Sequence, residues 1–239
     1  MILNRVTITG ADDSILPVDL LPLSKEFGFV EWGILLSKKK AGDPRFPSYE
    51  WMTELARLTL GGEIKFSGHL CGRWVRDLVL DGLHSFLNEQ PGIEQMFQRF
   101  QLNFHAEPHE KVHNSFFHWL GIDQRQYIFQ LDGVNHHLFQ MACDVRPELD
   151  IAPLFDKSGG IGVTPREWPE AFQGVYNGYA GGLGPDNLEV EIQRIAKVAR
   201  GEQVWIDMET KVRSEDDKQF DLEKVRRCLE IAAPFVKGR

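Results

Sequence analysis

Short apolar runs alternate with helical patterns along the whole chain, separated by polar or glycine-rich turns. The runs Arg5–Thr9, Phe29–Leu35, Glu63–Ser67, Phe100–Asn103, Tyr127–Leu131, Ile151–Phe155, Val175–Ala180 and Val204–Met208 read as strands. They begin roughly 20–35 residues apart, which leaves room for a crossover helix each time. Leu188, Ile192, Ile195 and Ala199 form one helical face, opened by Gly184-Pro185-Asp186. Leu222, Val225, Leu229, Ala232 and Val236 form another, with Asp221 placed to cap it. Pro47-Ser48 opens a helix carrying Trp51, Leu55 and Leu58, whereas Pro17 and Pro22 make the first helix irregular.

Eight β-then-α units in 239 residues predict an α/β chain folded as one (β/α)8 TIM-barrel domain over residues 1–239. A doubly wound open sheet is the alternative. Both folds place chemistry at the C-terminal ends of strands. In the barrel reading those ends carry Thr9, Glu31, His69, Asn103, Asp132, Asp156, Gly181-Gly182 and Glu209. Each of them can also serve as a turn or helix cap.

Hydrophobic residues are 42% and charged residues 26% of the chain, a globular mixture. The formal net charge of −8 argues against a nucleic-acid partner. No apolar stretch is long enough to span a membrane, and Met1 to Ser14 lacks the apolar segment of a secretory signal. Cys71, Cys143 and Cys228 are widely spaced with no CxxC, which fits reduced, mostly buried thiols in a cytoplasmic protein.

Three clusters carry candidate chemistry. Gly181-Gly182-Leu183-Gly184-Pro185-Asp186-Asn187 follows the seventh strand and opens a helix. Paired glycines let backbone approach a ligand, and a helix start favours an anion; the other use is a tight turn with positive φ. Asp156 ends the sixth strand ahead of Lys157-Ser158-Gly159-Gly160-Ile161-Gly162, so it can act as general acid or base beneath a glycine loop, or cap a turn. Asp207, Glu209 and Lys211 share one side if the eighth strand continues, and Lys211 can then hold a phosphate or pair with Glu209.

In this order the clusters resemble the phosphoribosylanthranilate isomerase family of tryptophan biosynthesis. Asp156, Gly159-Gly160-x-Gly162 and Trp168 look like its Asp, GGxG loop and aromatic, and Gly181 to Asn187 is similar to its GGLxPxN signature. Asp207 matches its next-strand Asp, Gln101-Leu102 with Glu107-Pro108 its QLHG segment, and Arg45 with Phe46 its Arg-Tyr segment. Val6-Thr7-Ile8-Thr9-Gly10 lies where that family has VKICG.

The resemblance implies a TIM barrel that isomerises a small phosphorylated, sugar-like substrate by acid–base chemistry without a cofactor or metal. It assigns the acid to Asp156. It assigns substrate contacts to Arg45, Gln101, Asn103, Gly159, Gly160, Asp207 and Glu209, and phosphate contacts to Gly181, Gly182, Thr210 and Lys211. Arg45 is expected to grip a substrate carboxylate. The departures are chemical. Thr9 stands at the cysteine base, Thr7 at the neighbouring lysine, Thr210-Lys211 at the Ser-Gly phosphate site, and Arg213 at the Glu beyond it. A threonine hydroxyl needs its own activating base. Asp12, Asp13 or His69 could supply one, and His69 is preferred because its ordinary pKa lies near neutrality.

Two other functions compete. The barrel could bind a small anionic metabolite without catalysis. Alternatively His109-Glu110-Lys111-Val112-His113 reads HExxH, which on a helix would place His109 and His113 on a metal in a hydrolase.

Overall fold

The computed structural model describes residues 1–59, 64–105, 107, 110–132, 135–145, 148–156 and 162–237. Eight parallel strands close in sequence order into a barrel: β1 Ile2–Thr9, β2 Val30–Leu36, β3 Lys65–Cys71, β4 Arg99–Asn103, β5 Gln126–Leu131, β6 Ile151–Asp156, β7 Asn177–Ala180 and β8 Gln203–Met208. Around them lie α1 Leu20–Glu26, α2 Tyr49–Thr59, α3 Arg73–Leu80, α4 Ser85–Glu89, α5 Asn114–Ile122, α6 Asn135–Val145, α7 Leu188–Ala199 and α8 Leu222–Ala232. The TIM-barrel expectation is met, with local exceptions.

The sixth crossover departs from the simple repeat, because its described part, residues 162–176, forms no helix. Pro165 and Pro169 each remove an amide donor there. Trp168 anchors the segment instead, buried edge-on against Tyr179 with its indole N–H on Glu191. The third strand also runs further than its apolar pattern implies. It carries His69 and Cys71 inside the sheet rather than on the loop after it.

Alternation along each strand sorts two interiors. Outward residues such as Val6, Trp32, Phe66, Phe100 and Phe129 pack under the helices in one continuous apolar core. The helix stripes complete it: Leu188, Ile192, Ile195 and Ala199 on α7, and Val225, Leu229 and Ala232 on α8, whose N-cap Asp221 accepts from the Glu223 and Lys224 amides. Val236 lies beyond α8 and bridges to Leu3.

The barrel lumen is different. Ile128, Ala152, Leu154, Ala180 and Trp205 make only a small apolar cluster. Gly178 allows it, since a Cβ there would run into the Trp205 ring. Much of the remaining lumen is polar. Glu31, placed by the sequence pattern at a strand's C-terminal end, lies instead low in β2, paired in register with Thr7 and Lys65. It is fully buried and bonded by Arg99, by Arg5 at 2.8 Å and by the Thr7 hydroxyl at 2.9 Å. Burial alone would raise its carboxyl, but the Arg99 and Arg5 charges hold it below the ordinary range. The Arg99 guanidinium lies 4.6 Å from the Trp205 ring centre, so its face is covered too.

Removing one member of such a group leaves a buried charge unpaired. Arg99→Leu is expected to cost about 3–5 kcal/mol in urea denaturation. Arg99→Leu combined with Glu31→Leu should cost less than Arg99→Leu alone. A double variant as unstable as the sum of its parts would show that the pair is not the unit of stability.

Candidate active site at the barrel mouth

The C-terminal ends of β1, β6 and β8 bring together Thr9, Asp156 and Asp207. The register Asp156–Ala180–Asp207 runs across three neighbouring strands. The two aspartates therefore stand two strands apart, with Cα atoms about 10 Å from each other. Thr9 Oγ1 donates to Asp207 Oδ1 at 2.7 Å, and Gln130 Nε2 donates to Asp156 Oδ2 at 2.6 Å. Burial is the main force that pushes the Asp207 carboxyl up to about 8; the charges of Glu209, Asp156 and Glu31 add to it, and the Thr9 hydrogen bond opposes it. At pH 7 this side chain holds a proton.

Between the aspartates lies a floor cavity of about 70 Å³, lined also by Gln101, Asn103, Gln130 and Gly181. Gln101 Nε2 donates to Asn103 Oδ1 at 2.8 Å, and Asn103 Nδ2 donates to Cys71 Sγ at 3.3 Å. Gln101 Oε1 is buried with no partner among the described residues.

His69 lies deeper. It is buried within β3, its ring packed beside Thr9 over Gly33, and it does not line the floor cavity. Burial lowers its pKa to about 3, so the ring is neutral and accepts a proton only in strong acid. Its neutralising environment disfavours it as a base near neutrality. Asp12 and Asp13 are engaged elsewhere: Asp12 accepts from Ser14, from the Arg45 amide and from Arg213, and Asp13 accepts from the Ser48 amide at 2.7 Å.

Arg45 reaches the mouth, but its guanidinium is already paired, with Glu209 at 2.6 Å and Asp217 at 2.6 Å. A substrate carboxylate would have to displace one of them. Glu209 is raised by burial, with Arg45 opposing and Asp156 and Asp217 adding. Lys211 is not its partner, because β8 ends at Met208 and a single 3-10 turn, Thr210–Val212, interrupts the alternation. Among the described residues Lys211 makes no ion pair, and it is exposed.

A larger cavity of about 610 Å³ adjoins the floor, lined by Gly182, Gly184, Thr210, Lys211, Arg213 and Lys224 among others. Gly182 has φ +59, and a Cβ on it would lie 2.5 Å from the Thr164 amide nitrogen. The glycine is thus required by loop packing as well as by any ligand. Asn187 ties the loop together, accepting from the Gly184 amide at 2.9 Å and donating to the Gly182 carbonyl at 2.9 Å. Lys211, Arg213 and Lys224 line this cavity together with Asp186, Glu215 and Asp217; Arg213 is paired with Asp12 and Asp217, and Lys224 donates to the Arg213 carbonyl at 2.7 Å, which leaves Lys211 as the cation with no ion pair among the described residues. Gly159 and Gly160 lie outside the described residues.

His109 also lies outside them. Glu110 to His113 are not helical, so the i, i+4 geometry that an HExxH metal site needs is missing. His113 instead caps α5, its Nδ1 accepting from the Ser115 amide at 3.1 Å. Among the described residues no group of His, Cys, Asp and Glu is arranged to hold a metal.

Sequence reading missed Gln130 and Asp217, and it placed Arg213 only as a departure beside the phosphate site of the resembling family. Gln130 had a signal: it is a polar residue on the inward side of an otherwise apolar strand, two places after Ile128. Asp217 had none, because its role depends on Arg45 and Arg213 meeting it across the closed barrel, and the pairing of Arg213 with Asp12 was hidden for the same reason.

No family model and no curated protein matches the chain. Among solved structures it is similar to a phospho-2-dehydro-3-deoxyheptonate aldolase (DAHP synthase) from Thermotoga maritima, with a TM-score of 0.55 and 9% identity, over 99% of this chain and 70% of that one. It is also similar to a GH113 beta-1,4-mannanase, with a TM-score of 0.53 and 10% identity, over 100% of this chain and 99% of that one. At such identities the likeness concerns the fold, and it agrees with the closed strand order: the chain is a TIM barrel.

Proposed function

We propose that this barrel is an enzyme that moves protons on a small phosphorylated, sugar-like substrate, an isomerisation of the kind the phosphoribosylanthranilate isomerase resemblance implies. The observation that carries this reading is Asp207. It is buried, bonded to Thr9, protonated up to about pH 8, and faces Asp156 across a cavity that shares Lys211 and Thr210 with a larger one.

Asp207 donates its proton to the carbonyl oxygen of the bound aldose or ketose. Asp156 accepts the proton from the adjacent carbon, and an enediol forms. Asp156 then gives its proton to the former carbonyl carbon, and the hydroxyl on the neighbouring carbon gives its proton to Asp207 as it becomes the new carbonyl, so both carboxyls are regenerated. Thr9 stands where the resembling family has its base but here serves Asp207, fixing its rotamer through the 2.7 Å hydrogen bond. Gln130 does the same for Asp156. The anion rests in the larger cavity, held by Lys211 as a point charge with Lys224 near it.

The test is proton exchange at carbon in D2O, followed by NMR over a panel of aldose and ketose phosphates. Deuterium wash-in should fall as pH rises through about 8, because the raised Asp207 carboxyl loses its proton there. Asp207→Asn and Asp156→Asn should each lower the rate by about 10²–10⁴-fold while phosphosugar binding persists. Unchanged exchange in both variants would overturn the assignment. Binding of the panel without exchange in the unmodified protein would make the barrel a binding protein instead.

Lys211→Ala should weaken phosphosugar affinity about tenfold, and inorganic phosphate should raise the melting temperature of the unmodified protein but less so that of the variant. A phosphate-induced shift identical in both would remove Lys211 from the anion site.

A further inference from the structure

We propose that His105, held by Asp132, is a second proton-transfer site of this mouth, and that it opens the closed ring of a sugar phosphate before the floor aspartates act on the open chain. The inference rests on the sugar-phosphate reading above and adds an activity to it, the exchange of one anomer for the other.

His105 follows β4, and Asp132 follows β5, the neighbouring strand. His105 Nδ1 lies 2.5 Å from Asp132 Oδ2. A carboxylate only accepts, so Nδ1 carries the hydrogen of that bond and Nε2 of the neutral ring keeps its lone pair. The pair is held from behind. Asp132 Oδ1 accepts from the Asn135 amide at 3.1 Å, at the start of α6, and the buried Asn135 side chain donates to the Phe104 carbonyl. Phe104 is itself buried, so the residue before His105 is anchored while the imidazole stays exposed. A base oriented by a third group and open to a cavity is the arrangement that acid–base catalysis needs. No step of the isomerisation above uses it.

His105 lines a cavity of about 630 Å³, and it does not line the floor cavity of about 70 Å³. Asn103 and Glu209 border both. Volume separates their tasks. The floor has room for a few heavy atoms, enough for the reacting carbons of an open chain. A closed sugar ring with its hydroxyl groups is several times larger and does not fit there. The cavity beside His105 has the room, and Leu35, Pro44 and Phe46 give it an apolar wall for the carbon face of a ring. Asp217 borders this cavity and the one lined by Lys211, so the ring and the phosphate of one molecule can occupy the two.

Aldose phosphates with a free hydroxyl in reach of the carbonyl exist mostly as closed hemiacetals, which offer Asp207 no carbonyl to protonate. His105 Nε2 takes the proton of the anomeric hydroxyl. The bond from the anomeric carbon to the ring oxygen breaks, and its electron pair goes to the ring oxygen. The imidazolium then gives its proton to that oxygen, which leaves an open aldehyde and a neutral imidazole. Both oxygens sit on the same carbon, so one ring nitrogen serves both. Asp132 is the positioning residue, which fixes the tautomer and faces the positive charge that forms on the ring.

The experiment is exchange NMR between the anomers of ribose 5-phosphate and glucose 6-phosphate in the presence of the full chain. Deuterium wash-in is followed on the same two compounds and on glyceraldehyde 3-phosphate and erythrose 4-phosphate, which cannot close. The unmodified protein should accelerate anomer exchange. His105→Ala should lower that rate by about 10²-fold, and imidazole added to the buffer should restore part of it. Asp132→Asn, which can still cap α6, should lower kcat of the exchange and keep KM. His105→Ala should slow wash-in on the ring-closing pair and not on the open-chain pair. Anomer exchange no faster with the protein than without it, or as fast in His105→Ala as in the unmodified protein, overturns the ring-opening site, while wash-in on the open-chain pair leaves the isomerisation standing. Equal slowing of both pairs in His105→Ala overturns it too, since the residue would then act on the open chain. Anomer exchange lost in His105→Ala, with no wash-in on any compound, would keep His105 and remove the isomerisation. If none of the four compounds binds or exchanges, the sugar-phosphate reading itself fails and the ring-opening site with it.

Discussion

The buried pair of Glu31 and Arg99 is the constraint on which this barrel depends. A barrel lumen ordinarily fills with branched apolar side chains. Here the lower lumen instead takes two oppositely charged side chains, both buried and bonded to each other. An ion pair in that position has to be fully bonded, since desolvation otherwise exceeds the attraction. Arg5, Thr7, Gln126 and the Trp205 face complete it. The lower lumen is thereby filled by a bonded polar plug, and neither Glu31 nor Arg99 lines the floor cavity at the mouth.

That plug also sets the electrostatics of the mouth. Glu31 is paired with Arg99 and Arg5, and it adds the smallest of the three acidic repulsions felt by Asp207. Among the described residues Asp207 makes no ion pair with a cation. Repulsion from a carboxylate about 10 Å away is worth about 1.7 kcal/mol at an effective dielectric of 20, little more than one pH unit. Moving a carboxyl from 3.8 to about 8 takes more than that, which is why burial leads among the causes. The proton on Asp207 is therefore a property of the barrel's depth and not only of its acidic neighbours. It would persist, though lowered, if one of those neighbours were neutralised.

Around the rim, a second charge network binds loops that are far apart in sequence. Arg45 and Asp217 both have positive φ and meet in an ion pair, and Arg213 joins Asp217 to Asp12 at 2.7 Å. Left-handed backbone at residues other than glycine persists only where the surroundings enforce it. The network enforces it here by tying the loops after β1, β2 and β8 across the closing seam of the barrel. It also explains why Arg45 is not an open anion receptor, despite a position that its sequence context would assign to one.

What the sequence showed and what it withheld follow from range. Strand and helix spacing is local, so the barrel was legible, as were Asp221 as a cap and the α7 and α8 stripes. The pattern ends the third strand at Ser67, whereas Gly68 continues in the sheet against Phe100. That shortening put His69 on a loop and made it a candidate base, whereas alternation carried on through Gly68 turns it inward. Thr9 and Asp156 were legible because each ends an apolar run, and Asp207 because it breaks one. Their relation was not, since the bond from Thr9 to Asp207 spans 198 residues and exists only once β1 meets β8. The closing seam is where the chain's first and last strands first become neighbours. It is also where a residue that cannot act as a base alone acquires a partner, so the chemistry of this mouth belongs to the closure of the barrel more than to any single motif.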